Sequence, residues 1–253
     1  MALAPAAGAE TAASWIAYHN VNASAHVERV KRLKEQGYRP ITVNVSDGER
    51  YAAVWVKDGS SDEWGMWQSM SPNGFQRRFD AGLREGVQPV SISATGSGDS
   101  TVFTAIFAKQ RGKFFVKTNL TADGFAEANK KAYGGGLALT SVDVYGTPGD
   151  VRYVGVWSTN TGGAWAYSSG KSRQAHEAYF NARKKQGYRP VQVATGPDGT
   201  YTAIWRKDGK KPWAHYVDMS SSGFQKRFND LKAKGLAPVS VNAEGGKYAA
   251  VWE

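Results

Sequence analysis

Ser168-Ser-Gly-Lys171 has the Ser-x-x-Lys spacing in which a lysine takes the proton of a serine nucleophile. That chemistry needs both side chains on one face of a helix start, and the nearest thing to an accompanying Lys-Thr-Gly is Lys117-Thr-Asn119. Gly170-Lys-Ser172 has the ending of a phosphate-binding loop, but Trp165 stands where such a loop needs its first glycine. His19, His26, His176 and His215 could serve acid–base or metal chemistry, yet their spacing fits no metal pattern. Cysteine is absent, which removes thiol nucleophiles, Cys-ligated zinc and disulfides.

Whether any of these groups can act depends on the elements that hold them, and those are repeated five times. An aromatic residue opens each copy at Trp15, Trp64, Phe114, Trp165 and Trp213; eleven residues later come His26, Phe75, Phe125, His176 and Phe224. Eleven further on stand Gly37, Gly86, Gly136, Gly187 and Gly235, and three beyond those Pro40, Pro89, Leu139, Pro190 and Pro238. Each copy closes on a strand such as Tyr51-Ala-Ala-Val-Trp55 or Tyr248-Ala-Ala-Val-Trp252, and the closing aromatics are 47 to 52 residues apart. A period of that length marks a repeat architecture.

Within a copy, the opening aromatic starts a short strand. Asn22, Ser71, Thr121, Ser172 and Ser220 are N-cap residues seven positions on, and the shared glycine ends the helix in a left-handed turn. Proline then prevents the helix from resuming. Next comes an alternating strand with one buried face, and a Gly-rich turn leads into the closing strand as a hairpin. Each unit is therefore β-α-β-β, and the units run 14–58, 59–110, 111–160, 161–208 and 209–253, after a flexible tail at 1–13. One unit cannot bury both a sheet face and a helix face, so neighbours must stack. The fold expected is an α+β repeat of five β-α-β-β units closing into an α/β propeller-like ring, with an open half-barrel as the alternative.

This register bears on the chemistry. Ser168 aligns with Tyr18, Trp67, Lys117 and Tyr216 at the end of the opening strand, ahead of the cap at Ser172. Ser168 and Lys171 then lie on extended backbone, which leaves them weak candidates for catalysis. His26 and His176 fill a slot that is Phe in the other copies, as core histidines would; His19 and His215, in the first and last copies, would approach each other if the ring closes. Residues two and three places after the opening aromatic are not dictated by the repeat. They include Tyr18, Trp67, Lys117, Tyr167, Ser168, His215 and Tyr216, a mixture suited to a glycan or extended-peptide groove. With His19 they form the ligand-binding set.

Thirty-two Lys and Arg against 22 Asp and Glu give a net charge of +10, which favours anionic partners. Clusters such as Arg77-Arg78, Arg183-Lys-Lys185 and Lys226-Arg227 fall on predicted outer helix faces, where they form a diffuse belt suited to non-specific attraction and poorly suited to base readout. No apolar run approaches the roughly 20 residues of a membrane-spanning helix.

The signature Gln-Gly-Tyr-Arg-Pro at 36–40 and 186–190, with strands ending Tyr-Ala-Ala-Val-Trp, resembles the tandem repeat of bacterial proteins and of the amino-terminal domain of polyglycine hydrolases. The resemblance covers essentially the whole chain after residue 13. In those hydrolases catalysis belongs to a separate serine-hydrolase domain, so the resemblance transfers no catalytic residue. It implies a secreted or cell-surface, soluble module for substrate recognition or structure. The function expected is non-catalytic binding of a peptide or cell-surface polymer by a monomer without metal or cofactor. The alternatives are a stand-alone serine hydrolase or peptidase, and a non-specific nucleic-acid or anionic-polymer binder.

Overall fold

The structure, a computed structural model, describes residues 14–160 and 162–253. The tail expected at 1–13 lies outside the described residues. Unit one comprises β1 (Ser14–Val21), α1 (Ala23–Glu35), β2 (Arg39–Ser46) and β3 (Arg50–Lys57). Unit two has β4 (Trp64–Met70), α2 (Pro72–Glu85), β5 (Val87–Thr95) and β6 (Val102–Lys109); unit three has β7 (Phe114–Leu120), α3 (Ala122–Gly134), β8 (Leu137–Thr147) and β9 (Asp150–Thr159). Unit four has β10 (Ala164–Lys171), α4 (Arg173–Lys185), β11 (Arg189–Thr195) and β12 (Tyr201–Lys207), and unit five β13 (Ala214–Met219), α5 (Ser221–Lys232), β14 (Pro238–Glu244) and β15 (Lys247–Trp252). Each unit forms its own three-stranded antiparallel sheet with the closing strand in the middle, in the order β1-β3-β2 and its equivalents.

The helices begin and end where the residue types require. Asn22, Ser71, Thr121, Ser172 and Ser220 each accept a hydrogen bond from the amide three residues on, at 2.9 to 3.3 Å. Gly37, Gly86, Gly136, Gly187 and Gly235 all take φ between 70° and 83°, the left-handed turn that leads out of a helix. The prolines sit at a ladder irregularity: register shifts immediately after Pro40, Pro89, Pro190 and Pro238, where a missing amide leaves no ladder bond unmade. Leu139 occupies the same bulge in unit three.

A second bulge interrupts every opening strand. It places Asn20, Ser69, Asn119, Gly170 and Asp218 at φ between 52° and 57°. Asn, Asp and Gly are the residues that tolerate this region best, so their recurrence at one position has a steric cause.

The cores lie between units. Along β3, Tyr51, Ala53 and Trp55 are buried, the latter two in a cluster with Leu33 of their own helix, whereas Ala52 and Val54 join Phe224 and Trp252 of unit five. Val154 and Val156 likewise pack with Phe75 of unit two, Ile204 with Phe125 of unit three, and Val251 with Trp205 of unit four. Alternate side chains of one strand thus serve two units, and none of the five cores is complete within a single repeat.

The second strands do not have the single buried face that alternation suggests. Asn44, Ser93, Asp143 and Asn242 are as buried as the valines between them, because their side chains bridge units. Val43 and Val45 donate their amides to Ser91 Oγ (3.4 Å) and Ser93 Oγ (2.9 Å); Ile92 donates to Ser141 Oγ (3.2 Å) and Ala94 to Asp143 Oδ2 (3.0 Å). Val142 donates to Gln192 Oε1 (3.1 Å), Thr195 to Asn242 Oδ1 (2.8 Å), and Ala243 to Asn44 Oδ1 (2.9 Å). An edge strand presents a row of unpaired amides, and here side chains of another unit satisfy them. Asp143 is the hub, accepting from Ser93 Oγ, from the amides of Ala94 and Val144, and from Asn242 Nδ2. β2 touches β5, β5 touches β8, β8 touches β11, β11 touches β14, and β14 touches β2.

Candidate functional site

Ser168 and Lys171 both lie on β10, opposite Ala203 and Tyr201, with a bulge between them. Ser168 is 4% exposed, and its Oγ accepts the indole hydrogen of Trp205 at 3.2 Å. Lys171 Nζ sits 5.2 Å from the centre of the Tyr179 ring. The serine is thus the hydrogen-bond partner of a core tryptophan, and the lysine is directed elsewhere. Ser172 caps α4, which accounts for the hydroxyl that follows the Gly-Lys pair.

The ligand-binding set is distributed rather than gathered. Two places after each opening aromatic, the side chain enters the preceding unit: Met66 packs with Leu33, Val116 with Phe75, Tyr167 with Phe125, and His215 against Phe180. Three places after it, the side chain turns into its own unit, where helix arginines cover Tyr18 (Arg29, 4.9 Å), Trp67 (Arg78, 4.2 Å) and Tyr216 (Arg227, 4.4 Å). Arg78 is half-buried and Arg227 exposed, and each lies over an aromatic ring, where a cation is attracted to the π-system. Lys117 is exposed. Tyr18 and His19 line one cleft with Phe224 and Phe228, and the other expected residues lie on the opening strands of other units.

The expected approach of His19 to His215 does not occur. Each opening strand faces the helix of the unit before it, so the two histidines belong to successive boundaries. His215 Nε2 meets His176 Nε2 at 3.1 Å, one nitrogen donating and the other accepting, while His19 packs edge-on to Phe224 and Tyr248 and contacts Gln225 Oε1 at 3.2 Å. His26 is fully buried, stacks on Tyr51 and bonds to the Tyr18 hydroxyl at 2.9 Å. Burial disfavours the imidazolium, which holds His26 and His176 down to about 4 and His215 to about 3. These are neutral core groups at physiological pH. Among the described residues, no three His, Cys, Asp or Glu side chains come together as a metal ion requires.

One boundary differs from the rest. In three others, an aromatic from the preceding helix covers the opening aromatic: Phe228 on Trp15 (5.3 Å), Phe79 on Phe114 (6.3 Å) and Phe180 on Trp213 (5.9 Å); Val30 joins the cluster around Trp64. At the boundary of units three and four the corresponding residue is Asn129. It turns inward, donating to Phe125 O (2.8 Å) and accepting from Trp157 Nε1 (3.0 Å). One turn on, where Lys34, Lys184 and Lys232 lie over Trp64, Trp213 and Trp15, stands Tyr133. The result is a cleft of about 340 Å³ between α3 and β10. Tyr133, 73% exposed, and Trp165 and Tyr167 form its aromatic surface, with Lys130 and Arg183 at its edge.

Of the ligand-binding residues expected from sequence, only Tyr167 lines this cleft. Tyr133, Trp165, Lys130 and Arg183 were missed as a group. The available signal was the double departure from the frame, Asn129 for an apolar residue and Tyr133 for a lysine or leucine.

Five β-α-β-β units, each with a three-stranded antiparallel sheet and incomplete cores shared between neighbours, define a tandem α+β repeat protein. The chain matches the family described as "Polyglycine hydrolase-like, structural repeat" in five consecutive copies, at residues 12–58, 61–110, 112–160, 162–208 and 210–253. It belongs to that family. Among the described residues, no helix is long and apolar enough to cross a membrane.

Proposed function

We propose that this protein is a non-catalytic binding module for a peptide or cell-surface polymer, and that the cleft between α3 and β10 is its contact. The observation that carries the reading is the aromatic cleft beside Trp165, which is half-buried like the other opening aromatics but is flanked by the exposed Tyr133. Asn129 withdraws the apolar lid found at other boundaries, and Tyr133 extends the aromatic surface into solvent. Flat rings stack against sugar faces or peptide groups with little loss of side-chain freedom, and the flanking Lys130 and Arg183 can orient polar substituents. The burial of Ser168 against Trp205 supports binding over serine hydrolysis. An exported setting rests on the resemblance to polyglycine hydrolases alone.

The arrangement supporting this surface is inferred to be a propeller-like ring. Its support is the unbroken succession of second-strand contacts from β2 back to β2, the Ala243–Asn44 hydrogen bond, and the core that unit five shares with Ala52 and Val54.

The test is a calorimetric screen of soluble cell-wall glycan fragments and glycine-rich decapeptides, followed by Tyr133→Ala and Trp165→Ala. Truncating an aromatic anchor costs about 2 kcal/mol or more, a loss of roughly 30-fold. Asn129→Phe, which restores the lid, should also weaken binding, and Lys117→Ala should not. Affinity unchanged in both aromatic variants would overturn the reading, as would turnover of a glycine-rich peptide or ester that Ser168→Ala abolishes.

A further inference from the structure

A second cleft, of about 360 Å³, lies at the hairpin ends and does not depend on the aromatic one. Turns of units one, three, four and five border it, and its side-chain acceptors are Asp47, Thr147, Thr195, Asp218 and Glu244. Asp218 is engaged: Tyr201 donates its hydroxyl to one carboxylate oxygen at 2.5 Å, and Arg173 pairs with the other at 3.0 Å. Glu244 is not. It is 8% exposed, and among the described residues it has neither a hydrogen-bond donor nor an ion-pair partner, although Lys247 stands opposite it across the Gly245-Gly246 turn. The Thr195 hydroxyl is likewise buried without a partner.

Buried polar groups in folded proteins are rarely left unmatched, because desolvation without a compensating bond is costly. On this cleft the Thr195 hydroxyl is buried and unmatched, and the Glu244 carboxyl, on a side chain otherwise buried, opens to the cleft without a partner among the described residues. Burial together with the charges of Asp47 and of Asp143 pushes the Glu244 carboxyl up to about 8. A positive group with hydrogens to donate would satisfy both acceptors. A divalent metal is a poor candidate, since among the described residues no three ligands converge. A planar guanidinium fits paired carboxylate oxygens presented side by side, whereas an ammonium is a compact charge with three divergent donors.

We infer that the hairpin-end cleft receives a primary ammonium group, with Glu244 and Asp47 as carboxylate acceptors and the Thr195 hydroxyl as the third. When the ammonium enters, Glu244 gives its proton to solvent and the carboxylate formed balances the incoming charge. The shared chemistry is a primary amine, whether from a free polyamine or from a lysyl side chain.

The experiment is a titration of the ¹⁵N-labelled protein, followed by its amide spectrum near neutral pH. n-Butylammonium chloride should shift the amides of Thr195, Gly245 and Gly246 saturably. Tetramethylammonium chloride at equal ionic strength, which has charge but no donor hydrogens, should not. Spermidine and the tripeptide Gly-Lys-Gly separate the two sources, and saturation by either one supports the site. Calorimetry at pH 7 in buffers of different ionisation enthalpy should report proton release, lost in Glu244→Gln. That variant is isosteric, and its undisturbed spectrum elsewhere would establish folding; Asp47→Asn, on an exposed turn, should weaken binding several-fold. Equal shifts from tetramethylammonium, preferential response to calcium chloride, or full binding by folded Glu244→Gln would overturn the inference.

Discussion

Ser168 shows how the surroundings of one side chain decide its role. A hydroxyl three residues from a lysine has the spacing of a nucleophile, yet its oxygen is committed to the indole of Trp205. Ser168→Ala should leave that N–H buried without an acceptor and lower stability by about 1–3 kcal/mol, measurable by urea denaturation. Gly155 is constrained more tightly. A Cβ there would lie 2.5 Å from the outer edge of the Trp157 ring, which is stacked on Phe115 and hydrogen-bonded to Asn129, so it has no free direction of retreat. Gly155→Ala should therefore cost about 1–3 kcal/mol, whereas the other units already carry alanine at that place with their aromatics adjusted to it. The sequence showed the small residue between two aromatics; it could not show that the indole lay directly above.

At the scale of the element, what could be read in advance was what depends on local chemistry. The five caps, the five left-handed glycines and the strand–helix–strand–strand order all follow from residue types within a few positions of one another. Replacing Ser71, Thr121 or Ser220 by Ala should each cost about 1 kcal/mol, and the three losses should be nearly additive because the helices share no cap contacts; thermal denaturation of the single and triple variants would measure it. The partners of the polar face of the second strand were not legible. Asn44, Ser93 and Asp143 read as a solvated side of an alternating strand, because nothing local says that the edge amides they bind come from another repeat. The bulge did leave a trace at Asn20, Asn119, Gly170 and Asp218, residue types that tolerate positive φ, whereas Ser69 gave no such sign. The aromatic cleft was half legible: Asn129 was visibly out of pattern, but its inward bond to Trp157 depends on the packing of α3 against β9.

For the molecule as a whole, the buried titratable groups oppose one another with pH. His26, His176 and His215 have pKa values below the ordinary histidine value of about 6.5, so between pH 4.5 and 6 the unfolded chain binds protons at all three that the folded protein does not. Asp143, raised to about 6, and Glu244, raised to about 8, each hold a proton in the folded protein that the unfolded chain has lost. Three against two leaves one extra proton on the unfolded chain, so stability should fall by about 1.4 kcal/mol per pH unit on acidification through that window. Above about 6.5 only Glu244 differs among these groups, and stability should decline as pH rises toward 8. Urea denaturation across pH 4.5 to 8 should find a maximum near 6.5; Glu244→Gln should flatten the alkaline side, and His26→Phe the acid side. The bridges between second strands have one more consequence. The Ala243–Asn44 bond, which links unit five to unit one, is of the same kind as the side-chain bridges between consecutive repeats. Covalent continuity is then incidental to which unit comes first, and a circularly permuted gene that cuts the loop at 58–63 and splices the old ends with a flexible linker should yield the same particle.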